Sequence, residues 1–119
     1  MYFGRFFDKQ KKSPSGSSTV TFVSQKVGQN QQVVVKYASV VDYTTANKVL
    51  ILGIRDTGGN DHYLQVNDPL ATYHAEHSLE LQGEITLVEG ESLIGVVESP
   101  GSSDALYFSV FGDRYTIKP

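Results

Sequence analysis

From Thr19 onward, Gly, Pro, Asn, Asp and Ser punctuate the chain at intervals of roughly 8–12 residues, and the stretches between them are short and rich in β-branched and aromatic side chains. β-Branched residues lose side-chain freedom in a helix and pack well on a pleated surface, so this rhythm restricts the fold to packed β-sheets. The expected strands are 19–23, 32–43, 48–56, 62–66, 72–81, 84–88, 92–98, 105–111 and 114–118. Segment 72–81 alternates cleanly, with Tyr73, Ala75, His77, Leu79 and Leu81 on one face. Apolar spacing of two excludes a helix there. Segment 48–56 is nearly all apolar at its centre, as in a strand covered on both sides. Gly58-Gly59-Asn60-Asp61 signals a hairpin. The fold class is therefore all-β: a β-sandwich, jelly-roll-like, of about eight or nine short strands.

The 119 residues suit one domain. The absence of Cys removes disulfides, zinc fingers, iron–sulfur sites and a thiol nucleophile from consideration. No run of 18 apolar residues is long enough for a membrane helix, and Arg5 and Asp8 interrupt the first eight residues, so no signal peptide is expected. Charge is unevenly placed. Residues 1–18 carry a net +3 and residues 19–119 a net −6, with no Lys or Arg between Arg55 and Arg114. An acidic body repels phosphate, so nucleic acid is not an expected partner.

The residues that could carry chemistry are few. His74 and Glu76 share a strand face, and His62 lies on a neighbouring strand. Two His and one carboxylate form a metal set of the kind held by small cupin-like barrels, provided they converge. A solvated polar face has the same composition, and no metal or other cofactor is expected. Asp56, Asn60 and Asp61 are the best oxygen group for calcium, but their spacing fits no standard loop. No Gly-x-Ser-x-Gly elbow or phosphate loop is present, so the chain is not expected to be an enzyme. Tyr107, Phe108 and Phe111 read as core residues. Tyr43, Tyr63 and Tyr73 lie near strand ends or on mixed faces, where an exposed ring could stack on a sugar.

The first 18 residues read as an arm followed by a 13–18 Ser/Gly hinge, set apart from a 19–119 sandwich domain. The arm holds Tyr2, Phe3, Phe6 and Phe7 beside Arg5, Lys9, Lys11 and Lys12. Four aromatics in seven residues exceed what a soluble surface ordinarily leaves in water, so these eight residues are the expected partner-binding set.

Residues 81–97 end one strand, pass a Gly-Glu turn and begin the next; a small-residue loop at 99–104 and an alternating strand at 105–111 follow. This ending, with the sheet-forming stretch 32–54, resembles small β-sandwich virion structural proteins of tailed bacteriophages. Trimeric jelly-roll domains of the C1q and tumour-necrosis-factor type share a similar rhythm. The resemblance implies a virion protein assembled in the host cytoplasm, acting in capsid decoration or as a head–tail accessory. It implies docking on a major capsid or other virion protein and a homo-oligomer, a trimer at first guess. The alternatives are a carbohydrate-binding module and a small cupin-like metalloprotein.

Overall fold

The computed structural model describes residues 2–46, 48–67 and 77–117. It contains nine strands: β1 (Tyr2–Lys12), β2 (Val20–Val23), β3 (Gln31–Asp42), β4 (Leu50–Arg55), β5 (Asp61–Asn67), β6 (Ser78–Glu80), β7 (Ile85–Val88), β8 (Ser92–Val97) and β9 (Leu106–Thr116). One sheet runs β1-β9-β3, with β6 and β7 both on the far side of β3; the other runs β2-β8-β4-β5. All pairings are antiparallel. β1 pairs with β9, β2 with β8, β3 with β6 and β7, and β4 with β5. That nesting is a long hairpin rolled into two facing sheets, which is a jelly roll.

The core fills the space between the sheets. Val33, Val35, Val40, Phe108 and Val110 from one sheet meet Phe22, Leu50, Leu52 and Leu93 from the other. Phe22 and Phe108 stack with centroids 5.5 Å apart. Gly95 makes room for them, since a Cβ there would lie 2.5 Å from the Phe108 ring. The apolar centre of β4 has the two-sided burial that its sequence predicts. Leu50 and Leu52 face the core, while Ile51 joins Ile94 and Val96 in a second apolar cluster on the other face of the sheet.

β6 and β7 are two halves of one broken strand. β6 pairs with residues 39–41 of β3 and β7 with residues 32–35. Between them Gly83 adopts φ +84°, and β3 has its own irregularity between Val35 and Tyr37. Lys36 sits at that bulge and bonds Glu84 across the gap at 2.7 Å.

Residues 2–12 are not a projecting arm. They form the edge strand of the first sheet, in register with β9 from Tyr2↔Tyr115 to Lys12↔Leu106. Phe6 is 1% exposed and belongs to the core. The physical reason lies in the alternation. Of the inward-facing side chains, Asp8 accepts from the Gln25 N–H at 2.9 Å, and Gln10 and Lys12 donate to the carbonyls of Val23 and Thr21 at 2.7 and 3.1 Å. These polar groups fasten β1 to β2 across the open side of the sandwich. The domain thus begins within β1, and 13–18 is the β1–β2 connection. It is tied down by the Ser103 N–H bonded to the Pro14 carbonyl and the Ser102 hydroxyl bonded to that of Ser15.

Candidate functional site

The outer face of the β1-β9-β3 sheet is built in rows by the cross-strand register. Phe7, Phe111 and Tyr37 form one row; Lys9, Ser109, Ser39 and Glu80 a second; Lys11, Tyr107, Val41 and Ser78 a third; Arg5, Asp113, Val34 and Thr86 a fourth. Such neighbours are close enough to interact directly. The Phe7 ring meets Phe111 edge-on at 4.8 Å, and Phe111 meets Tyr37 at 5.9 Å. Tyr43 meets Tyr107 at 6.3 Å and 81°, and the Lys11 ammonium lies 5.6 Å from the Tyr107 ring centroid. Phe7 is 50% exposed, and Tyr37, Tyr107 and Phe111 each 37–38%. Aromatic rings left this accessible and this close together are the usual ingredient of a protein contact surface.

Two grooves open on this face. One, of about 280 Å³, is lined by Arg5, Phe7, Lys36, Phe111 and Asp113, together with Phe6 and Gly112. The other, of about 240 Å³, is lined by Lys9, Gln10, Lys11, Tyr107 and Ser109. Each combines an aromatic wall with cations, which suits an apolar group flanked by carboxylates. The Glu84 carboxylate holds the Lys36 pKa above its ordinary value.

The eight residues singled out in the sequence therefore divide. Arg5, Phe7, Lys9 and Lys11 come together on the outer face. Phe6 is spent on the core. Lys12 turns inward, its ammonium 5.1 Å from the Phe22 ring centroid. Tyr2 and Phe3 open β1. Reading Tyr107 and Phe111 as core together with Phe108 overlooked half of this face. Phe108 is buried, but Tyr107 and Phe111 alternate outward with it, and period two was the available signal.

The other candidates take structural places. Asp56 Oδ1 accepts from the Gly58 and Asn60 N–H groups, each at 2.9 Å, and Oδ2 meets His62 Nε2 at 2.8 Å. His62 and these N–H groups lower the Asp56 pKa. Arg55 bonds Asp61 through both carboxylate oxygens, at 2.7 and 3.0 Å, which lowers the Asp61 pKa. His74, Glu76 and Tyr73 lie outside the described residues. Among the described residues no three His, Asp or Glu side chains gather in a way that would hold a metal ion. Tyr63 is exposed on β5.

No family model matches the chain, and no curated protein matches it. Among solved structures, it is similar to a chain in the atomic structure of Sulfolobus turreted icosahedral virus, with a TM-score of 0.59 and 21% identity, over 100% of this chain and 31% of that one. The likeness is one of fold, and this chain spans about a third of the viral chain's length. Two weaker likenesses are to the Drosophila NLP core (TM-score 0.47, 15% identity, 92% of this chain and 98% of that one) and to the CBM22-1 xylan-binding domain of Paenibacillus barcinonensis Xyn10C (TM-score 0.33, 18% identity, 98% and 100%). Scores at that level do not bear on function.

Proposed function

We propose that this jelly roll is a non-enzymatic structural domain of a virion, docking on a neighbouring virion protein through the outer face of its β1-β9-β3 sheet. The observation that carries the reading is the continuous row of Phe7, Phe111 and Tyr37 flanked by Arg5, Lys9 and Lys11. The shared fold with a chain of an icosahedral virus supports the virion context. Buried aromatics would supply most of the contact energy and the cations would steer association. A decoration or head–tail accessory role agrees with a small domain that keeps its core to itself and presents one aromatic-basic face. The test is co-sedimentation with intact particles of the virus that encodes the chain. Phe7→Ala/Phe111→Ala protein that keeps its cooperative melting transition should lose particle binding. Undiminished binding by that variant would refute this face as the dock. A sugar-binding module predicts instead that soluble oligosaccharide competes wild-type protein off.

A further inference from the structure

We infer that the neighbour met by the β1 edge is a second copy of this chain, seated by its β6–β7 edge, so that copies associate head to tail. This rests on the reading of the β1 face as the docking surface. The two ends of one sheet carry opposite charge. At one end β1 presents Arg5, Lys9 and Lys11 outward, with half-exposed Phe7 among them. At the other end β6, β7 and the turns beside them present Glu80, Glu84 and Glu89, with half-exposed Val88. No Lys or Arg occurs in the sequence between Arg55 and Arg114, so β6, β7 and their turns contribute carboxylates and no cation, and Lys36 of β3 bonds Glu84 there. Within the second row Lys9 stands at the β1 end and Glu80 at the β6 end. Three inter-strand steps separate those ends, about 14 Å.

Among the described residues β1 and β6–β7 are the edges of this sheet, and an edge presents unpaired backbone groups that proteins normally cover or guard. Pairing β1 with its own copy would set Arg5, Lys9 and Lys11 against one another, which like-charge repulsion disfavours. Setting β1 against β6–β7 in the register of the rows places Lys9 of one copy in line with Glu80 of the next and brings cations beside carboxylates. Because the two patches differ, the contact is heterologous and must close into a ring or extend as a filament.

The test is sedimentation of the isolated, full-length protein at low and high salt. Wild type is expected to sediment as an oligomer at low salt and to dissociate as salt is raised. Lys9→Glu/Lys11→Glu makes both edges acidic, and Glu80→Lys/Glu84→Lys makes both basic. Each alone should be monomeric, and an equimolar mixture should reassemble. Thr86→Lys in place of Glu84→Lys keeps the Lys36 pair, should that loss unfold the chain. A wild-type monomer at low salt, or a mixture that stays monomeric while both variants remain folded, would overturn the inference. If that occurs while wild type still co-sediments with virus particles and Phe7→Ala/Phe111→Ala does not, the docking face survives and only the identity of its neighbour is wrong.

Discussion

Asp42, at the end of β3, and Asp104, just before β9, turn two buried carboxyl groups toward each other at one end of the sandwich. Asp42 Oδ1 accepts from the Thr44 and Thr45 N–H groups at 3.2 and 3.0 Å. Asp104 accepts from the Thr45 hydroxyl at 3.0 Å and the Gly101 N–H at 2.9 Å. Asp42 Oδ2 is sealed from solvent and, among the described residues, meets no N–H or O–H donor; the Asp104 carboxyl is the group it hydrogen-bonds. A proton held between the two carboxyls satisfies both. Burial, and then the hydrogen bond to Asp104, push Asp42 above its ordinary value of 3.8. The same bond holds Asp104 below it.

The sign of the pH dependence follows. The contribution of Asp42 is present at low pH and is lost as pH rises through its raised pKa; that of Asp104 is lost as pH falls through its depressed one. Stability should peak between them, in a window spanning 3.8. Neighbouring groups are Lys48, which lowers Asp104, and His77, whose ring nitrogen lies 3.0 Å from the Asp42 carbonyl. Asp42→Asn places a permanent donor beside Asp104. Thermal melts across pH should show the variant matching wild type in acid and gaining on it as pH rises. A difference that shrinks with pH would exclude the shared proton. Asp104→Asn, by contrast, sets a donor against donors and should cost about 1–3 kcal/mol.

Phe6 and Phe7 are neighbours in sequence with opposite fates. Phe6→Ala removes a ring that is 1% exposed and should cost about 3–5 kcal/mol. Phe7→Ala gives up chiefly an edge contact to Phe111, about 1 kcal/mol. Removing residues 1–12 should unfold the domain or make it aggregate, because it takes Phe6 out of the core and strips β9 of one of its two partners, leaving it paired only to β3. Chemical denaturation of all three checks this. A truncated chain with an unchanged midpoint would mean that β1 contributes nothing to the fold.

That first strand is also where the sequence misleads. Among inward positions Gly4, Phe6, Asp8, Gln10 and Lys12, only Phe6 is a large apolar residue, so no alternating pattern marks a strand. The polar positions are used to grip β2, and neither spacing nor composition announces such a grip. β2, β4 and β8 were legible within a residue or two because their apolar residues face a core. Residues 105–118 read as two strands split at Gly112-Asp113, yet β9 is continuous. Half of the outer aromatic-basic face, Arg5, Phe7, Lys9 and Lys11, was legible as a cluster in the sequence. The other half, Tyr107 and Phe111, reads as core beside Phe108 only if the alternation is ignored: period two puts them on the face opposite Phe108, and the packing of Phe108 on Phe22 makes that face the outer one.

Gly112 explains the false break. It lies opposite Val35 where β3 bulges, and a Cβ there would run into the carbonyl oxygen of Val34. Backbone cannot step aside as a flexible side chain does. Gly112→Ala should therefore cost about 1–3 kcal/mol by displacing β9 from β3. Gly16→Ala, with open space around the added methyl, is the matched control and should change stability by less than about 1 kcal/mol. Equal melting midpoints for the two variants would remove the close approach as the reason for glycine.

The cations of the proposed docking face should govern the rate of association more than its strength. Lys9 and Lys11 are exposed, and beyond a Debye length of about 10 Å at 0.1 M salt their field is screened. The aromatic row of Phe7, Phe111 and Tyr37 acts only once it is desolvated, and salt hardly weakens it. In a surface-binding measurement against virus particles, Lys9→Ala/Lys11→Ala should lower the association rate several-fold at low salt, with little change in dissociation. That deficit should close as salt is raised. Phe111→Ala should do the reverse, leaving association nearly unchanged and speeding dissociation about tenfold or more, the kinetic equivalent of about 1.4 kcal/mol. If both variants acted on dissociation alike, the charged and aromatic parts of the face would not be separable in this way.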